Sequence, residues 1–176
     1  MKERVAERFR WAVDTLDVAP SDQLLEVGCG HGVAVSLICP RLSSGTIVAI
    51  DRSQAMIAHA ARRNRECVDQ GRAAFEAVAL GAADLNDRFD KVFAINVALF
   101  RGDAGDEAEA LKRLLAPEGA VYLFQQHPSA SRSRAVTDAL TASLLGNGFS
   151  LRHTTSRGQG ASLMTCIVAE SLRNAS

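Results

Sequence analysis

Three glycines at alternate positions follow an acid in Leu24-Leu25-Glu26-Val27-Gly28-Cys29-Gly30-His31-Gly32. The apolar run before them reads as a strand, and the apolar stretch Val33 to Cys39 after them reads as a buried helix. A strand feeding a glycine turn feeding a helix is where a doubly wound sheet holds its ligand. Glycines there tolerate positive φ and let a ligand approach the backbone without a Cβ in the way. The chemistry then turns on charge. A dinucleotide fingerprint needs Gly or Ala about five positions after its first glycine, where Val33 stands here. A pyrophosphate would also be repelled by a carboxylate at Glu26, whereas a cationic ligand would be attracted.

A ligand carrying ammonium and sulfonium charges, S-adenosylmethionine, satisfies that argument better than NAD. At these residues the chain resembles the class I S-adenosylmethionine-dependent methyltransferases, whose first motif has the form acid-x-Gly-x-Gly-x-Gly. Glu26, Gly28, Gly30 and Gly32 match it. The family's second landmark is an acid that ends strand two and binds the ribose hydroxyls. Asp51 in Ile47-Val48-Ala49-Ile50-Asp51-Arg52-Ser53 fits, at the spacing of roughly twenty residues such an acid needs. Phe89 to Asn96 and Leu114 to Phe124 resemble its fourth and fifth strands, so the likeness runs over residues 20 to 170.

The resemblance implies roles for particular residues. Glu26 orients the methionine ammonium or holds the loop by accepting its amides, while Gly28, Cys29 and Gly30 give backbone contact to the methionine half. Asp51 takes the ribose diol; the other reading, an Asp capping the next helix, is met by Ser53 instead. Arg52 either lies along the adenine or is solvated. An acid soon after strand three is usual in the family, and Gly81 stands at the best-aligned position. Adenine recognition therefore falls to the backbone of Ala82, or to Asp84. Asn96 borders the methionine or serves structure alone. On the acceptor side, His127 is either a general base or a loop histidine, and Arg101 is placed to meet an anionic substrate.

These residues need a scaffold. Strands alternating with helices predict an α/β fold: a doubly wound, mainly parallel seven-stranded sheet, helices on both faces and one antiparallel edge strand. Residues 1–20 read as a leading helix, 21–170 as the methyltransferase domain and 171–176 as a tail. On the leading helix Val5, Phe9, Ala12, Val13 and Leu16 form one stripe, from which Trp11 departs. Pro40 should stop the helix after the glycines. A single helix is expected from Ser53 to near Gly71, and a Pro117-Glu118-Gly119 turn should precede strand five. Val136, Ala139, Leu140 and Leu144 mark the inner face of a later helix.

Composition narrows the function. The 176 residues suit one domain with a full core. Twenty basic and twenty acidic side chains give no global field to recruit nucleic acid or a membrane surface. The first residues lack the apolar core of a signal peptide, and no stretch approaches the ~18 apolar residues of a membrane span. Cys29, Cys39, Cys67 and Cys166 show no spacing for zinc or a disulfide framework, which predicts free thiols in a cytoplasmic protein and no metal.

The expected activity is methyl transfer to a small-molecule acceptor by in-line displacement, with no dedicated catalytic motif. Short connections after strands four and five leave the site open, or closed by a second protomer. The rivals are a cofactor-binding scaffold without turnover and an NAD-linked oxidoreductase.

Overall fold

The computed structural model describes residues 6–100, 104–160 and 163–172. Seven strands, β1 (Gln23–Val27), β2 (Thr46–Asp51), β3 (Ala73–Ala77), β4 (Phe89–Ile95), β5 (Leu115–Gln126), β6 (Phe149–Arg157) and β7 (Met164–Ser171), form one sheet in the order β3-β2-β1-β4-β5-β7-β6. β1 to β5 pair in parallel, and β7 pairs antiparallel with both β5 and β6. The reversed strand thus belongs to the edge hairpin and lies one place inside it.

Period-two alternation splits the apolar residues between two faces. Leu24, Ile47, Ala49 and Phe93 enter one core, with α1 (Glu7–Leu16), α2 (Val33–Ile38) and α3 (Gln54–Arg63). Leu25, Ile50, Val92 and Ile167 enter the other, with α5 (Gly105–Leu114) and α6 (Ala130–Gly146). A further short helix, α4 (Arg65–Asp69), follows α3. The order reverses beside β1, which lies between β2 and β4, so a crevice opens above their carboxyl ends.

Several local expectations change. Trp11 is buried and stands edge-on to Phe124, with ring centroids 5.5 Å apart. The helix lies against α2 on one side and β4 and β5 on the other, so its buried face is wider than one stripe. Val5 lies outside the described residues. The helix expected from Ser53 to Gly71 breaks at Asn64, whose Nδ2 donates to the carbonyls of Gly32 and Ala60. Pro40 ends α2 as expected but sits in a following turn of 3-10 helix, Cys39–Arg41. The Pro117-Glu118-Gly119 turn is a bulge inside β5: pairing steps from Phe89–Leu115 to Lys91–Ala120. Ala139 is exposed, and Ser133 is buried in α6 instead, its hydroxyl 3.4 Å from that of Thr165.

Cysteine pairing is also corrected. Cys39 and Cys67 form a disulfide, with Cα atoms 6.3 Å apart, while Cys29 and Cys166 are free. No short-range motif could announce it, because packing of α4 beside the end of α2 brings the two together. The bond also removes the thiol argument for a cytoplasmic setting. It closes a loop of 28 residues that contains β2 and α3. Cys67→Ala is therefore expected to cost about 3 kcal/mol in urea unfolding. The gap to the native chain should close when reductant is added; a gap that persists would place the loss in packing.

Candidate functional site

The carboxyl ends of β1, β2 and β4 surround two adjoining cavities that share Gly28. One, of about 360 Å³, is lined by Asp51, Arg52, Val78 to Gly81, Asn96 to Leu99 and Glu107. The other, of about 380 Å³, is lined by Glu26, Gly28 to His31 and Val33 from the turn, and by Arg8 and Phe9 of α1.

The glycine turn has positive φ at Gly28, Gly30 and Gly32. At Gly28 the demand is double: φ is +73°, and a Cβ would stand 2.5 Å from the Val97 side chain. Gly28→Ala is expected to lower stability by about 2 kcal/mol or more, from left-handed strain plus overpacking. An unfolding midpoint equal to the native one would show that Val97 yields freely.

Four of the five amides of Gly28 to Gly32 are already committed. Gly28 and Cys29 both donate to the Ile50 carbonyl, at 2.8 and 3.1 Å, and Gly32 donates to Cys29. Gly30 donates to Asp51 Oδ2 at 2.9 Å. A phosphate needs convergent free N–H groups, and this turn spends four of them on its own scaffold. The amides of Gly28, Cys29 and Gly30 are thus engaged within the fold.

Asp51 is half-buried at the end of β2. Its Oδ1 accepts from Ser53 N and its Oδ2 from Gly30 N, both at 2.9 Å. These bonds fix the carboxylate, and each oxygen retains a lone pair toward the cavity. Ser53 Oγ accepts from Met56 N at 3.3 Å, so Ser53 caps α3 as expected.

Glu26 is 2% exposed, and its Oε2 has no hydrogen-bond partner. Burial pushes its carboxyl up to about 8, and the neighbouring Asp51 carboxylate adds to the rise. Buried polar atoms are almost always paired, so an unpaired carboxyl oxygen lining a cavity calls for a donor from the ligand. Cys29 is no nucleophile: burial first, then Glu26 and Asp51, push its thiol up to about 12.

The remaining expected residues are dispersed. Arg52 is exposed and lines the first cavity. Asn96 has a left-handed φ of 56°; its N–H donates to Phe124 and its Oδ1 accepts from Gln126 N at 2.7 Å, tying the ends of β4 and β5 together. Ala82 is exposed, and its amide donates to Ala79 within a 3-10 turn, Leu80–Ala82. Leu80 and Gly81, not Ala82 or Asp84, line the cavity. His127 is half-buried and lines none of these cavities. Arg101 lies outside the described residues. A narrow cleft beside Asn96 adds Arg8, Trp11, Phe124, Gln125, Gln126 and Met164. Sequence reasoning missed Arg8 and Glu107. Both stand on helices where solvent exposure explains a charge, and only packing turns them inward.

The described residues contain no group of three or more His, Cys, Asp or Glu placed to hold a metal, and no helix long and apolar enough to cross a membrane. Sheet order and crevice define a Rossmann-like fold with a ligand site at the strand switch. Residues 25–121 match the methyltransferase domain family, and the chain belongs to that family. It is 25% identical over 111 residues to YrhH of Bacillus subtilis, a protein named as a proposed methyltransferase; the match covers 63% of this chain and 61% of YrhH. The chain thus spans less than two thirds of that curated relative.

Solved structures show the same fold at low identity. A SAM-dependent methyltransferase of Aquifex aeolicus superposes with a TM-score of 0.77 at 14% identity, covering 92% of this chain and 88% of that one. The N-methyltransferase NodS of Bradyrhizobium japonicum WM9, in complex with S-adenosyl-L-homocysteine, gives 0.71 at 18% identity, covering 94% and 86%.

Proposed function

We propose that the protein transfers a methyl group from S-adenosylmethionine to a small-molecule acceptor. The observation that carries this reading is the unpaired, buried Glu26 oxygen beside a glycine turn that spends four of its five amides on its own scaffold. That combination suits an ammonium and rejects a pyrophosphate. Asp51 and Arg52 then meet the ribose and adenine side in the first cavity, while Glu26 and the backbone of Gly28, Cys29 and Gly30 meet the methionine side in the second.

When bound, the cofactor supplies a methyl group on a positively charged sulfur, already activated toward a nucleophile. The chain's task is alignment, which is worth up to about 7–11 kcal/mol without any acid or base. Asn96 contributes by locking the ends of β4 and β5 where the cavities meet the aromatic cleft. Trp11 and Phe124 wall that cleft, which at about 10 Å³ has room for no more than a water.

The test is transfer of labelled methyl groups from S-adenosylmethionine into a metabolite extract. Appearance of a labelled product is expected. Tight cofactor binding with no labelled product would favour a scaffold that kept the site without turnover.

A further inference from the structure

We propose that Glu107, at the start of α5, accepts the hydrogen bond of the adenine amino group and so selects the cofactor's base. The inference rests on the S-adenosylmethionine reading above and adds a residue to it.

An exocyclic amine buried in a cavity needs an acceptor. Beyond Asp51, the first cavity runs along Val78, Ala79, Leu80 and Gly81, an apolar wall fit for a flat base. Four of its lining residues carry polar side chains: Asp51, Arg52, Asn96 and Glu107. Asp51 is fixed by two amides beside the glycine turn. Arg52 can only donate. Asn96 Oδ1 already accepts from Gln126. On the wall itself, the Ala79 and Leu80 carbonyls accept from Ala82 and Ala83 in the 3-10 turn. Glu107 is left.

Its geometry is prepared for that task. Glu107 Oε2 accepts from Phe100 N at 2.7 Å, which fixes the orientation of the carboxylate. Phe100 has a left-handed φ of 57°, so this bond holds a conformation that a phenylalanine seldom adopts. α5 packs closely on Gly81: a Cβ there would stand 3.2 Å from Asp106 Cβ, a tight contact. The missing side chain at position 81 and the carboxylate at 107 are two parts of one arrangement. The strand wall gives up its side chain, and the helix brings in the acid.

A carboxylate accepts from the 6-amino group of adenine and repels the 6-oxo group of hypoxanthine. Calorimetric titration of S-adenosylhomocysteine and S-inosylhomocysteine, into the native protein and Glu107→Gln, therefore reads the proposal as a ratio. The native chain is expected to prefer the adenine compound by about 100-fold. Glu107→Gln, whose carboxamide both accepts and donates, should reduce the preference to below about tenfold. Gln keeps an oxygen for Phe100 N, so the variant is expected to fold. A role confined to holding Phe100 would weaken both compounds together with the ratio unchanged, and that result overturns the proposal while the cofactor reading stands. A native protein that binds neither compound overturns both.

Discussion

Glu26→Gln is expected to make the free protein more stable at pH 7, by about 2–3 kcal/mol, and to weaken S-adenosylhomocysteine binding by about 100-fold. The two effects share one cause. Folding raises the Glu26 pKa from 4.5 to about 8 because the carboxyl leaves water. The folded state therefore holds a proton that the unfolded state has lost. For a group raised in this way, the favourable contribution is complete below 4.5 and disappears as pH climbs toward about 8. Gln cannot ionise, so the variant avoids that loss, and its advantage should grow between pH 5 and 8. The same substitution removes the charge that an ammonium meets in the cavity. A Glu26 that held the turn by accepting its amides would act oppositely, since its loss would lower stability. Urea unfolding across pH, combined with calorimetry, separates these cases. A variant less stable than the native chain at pH 8 contradicts the assignment.

Asp51→Ala should cost more than any other single change at the crevice. The carboxylate holds Gly30 N and Ser53 N and, in the proposed complex, also takes the ribose diol. Two lost charge-assisted bonds to ligand at about 1.5 kcal/mol each predict affinity for S-adenosylhomocysteine reduced by about 100-fold or more. Asp51→Asn is the sharper probe. It keeps the shape but only one acceptor, so its NH2 faces either Gly30 N or Ser53 N; a loss of about tenfold in affinity is expected together with a lowered unfolding midpoint. Unchanged affinity in both variants would take Asp51 out of the site. A large fall in stability with affinity preserved would reduce it to a cap for the turn.

The sequence carried the first crossover because its requirements are local. An acid, three alternating glycines and a second acid at the end of the next strand are positions that backbone geometry alone demands. The make-up of the sheet, seven strands, mainly parallel with an antiparallel edge, was likewise legible, since period-two apolar runs alternating with helical ones admit few arrangements.

Whatever depended on packing between distant elements was not legible. Cys39 and Cys67 meet through helix placement, at a sequence separation of 28. Asn64 looks like an ordinary helix residue until its amide is seen holding Gly32. Trp11 departs from its helix's stripe and is buried all the same, because β5 supplies a second wall. Glu107 reads as an ordinary solvated charge on a helix, yet α5 turns it into the cavity. Charge raised a subtler point. From sequence Glu26 reads as a standing negative charge, whereas burial leaves it largely protonated at neutral pH in the free protein. The attraction for a cation is latent, and ligand binding must draw the proton off.

That coupling gives the most direct measurement: calorimetric titration of S-adenosylhomocysteine near pH 7 in two buffers of different ionisation enthalpy. The account predicts binding accompanied by release of close to one proton, with affinity rising about tenfold per pH unit up to about 8. No proton release, or no binding of S-adenosylhomocysteine where NAD binds, would contradict it.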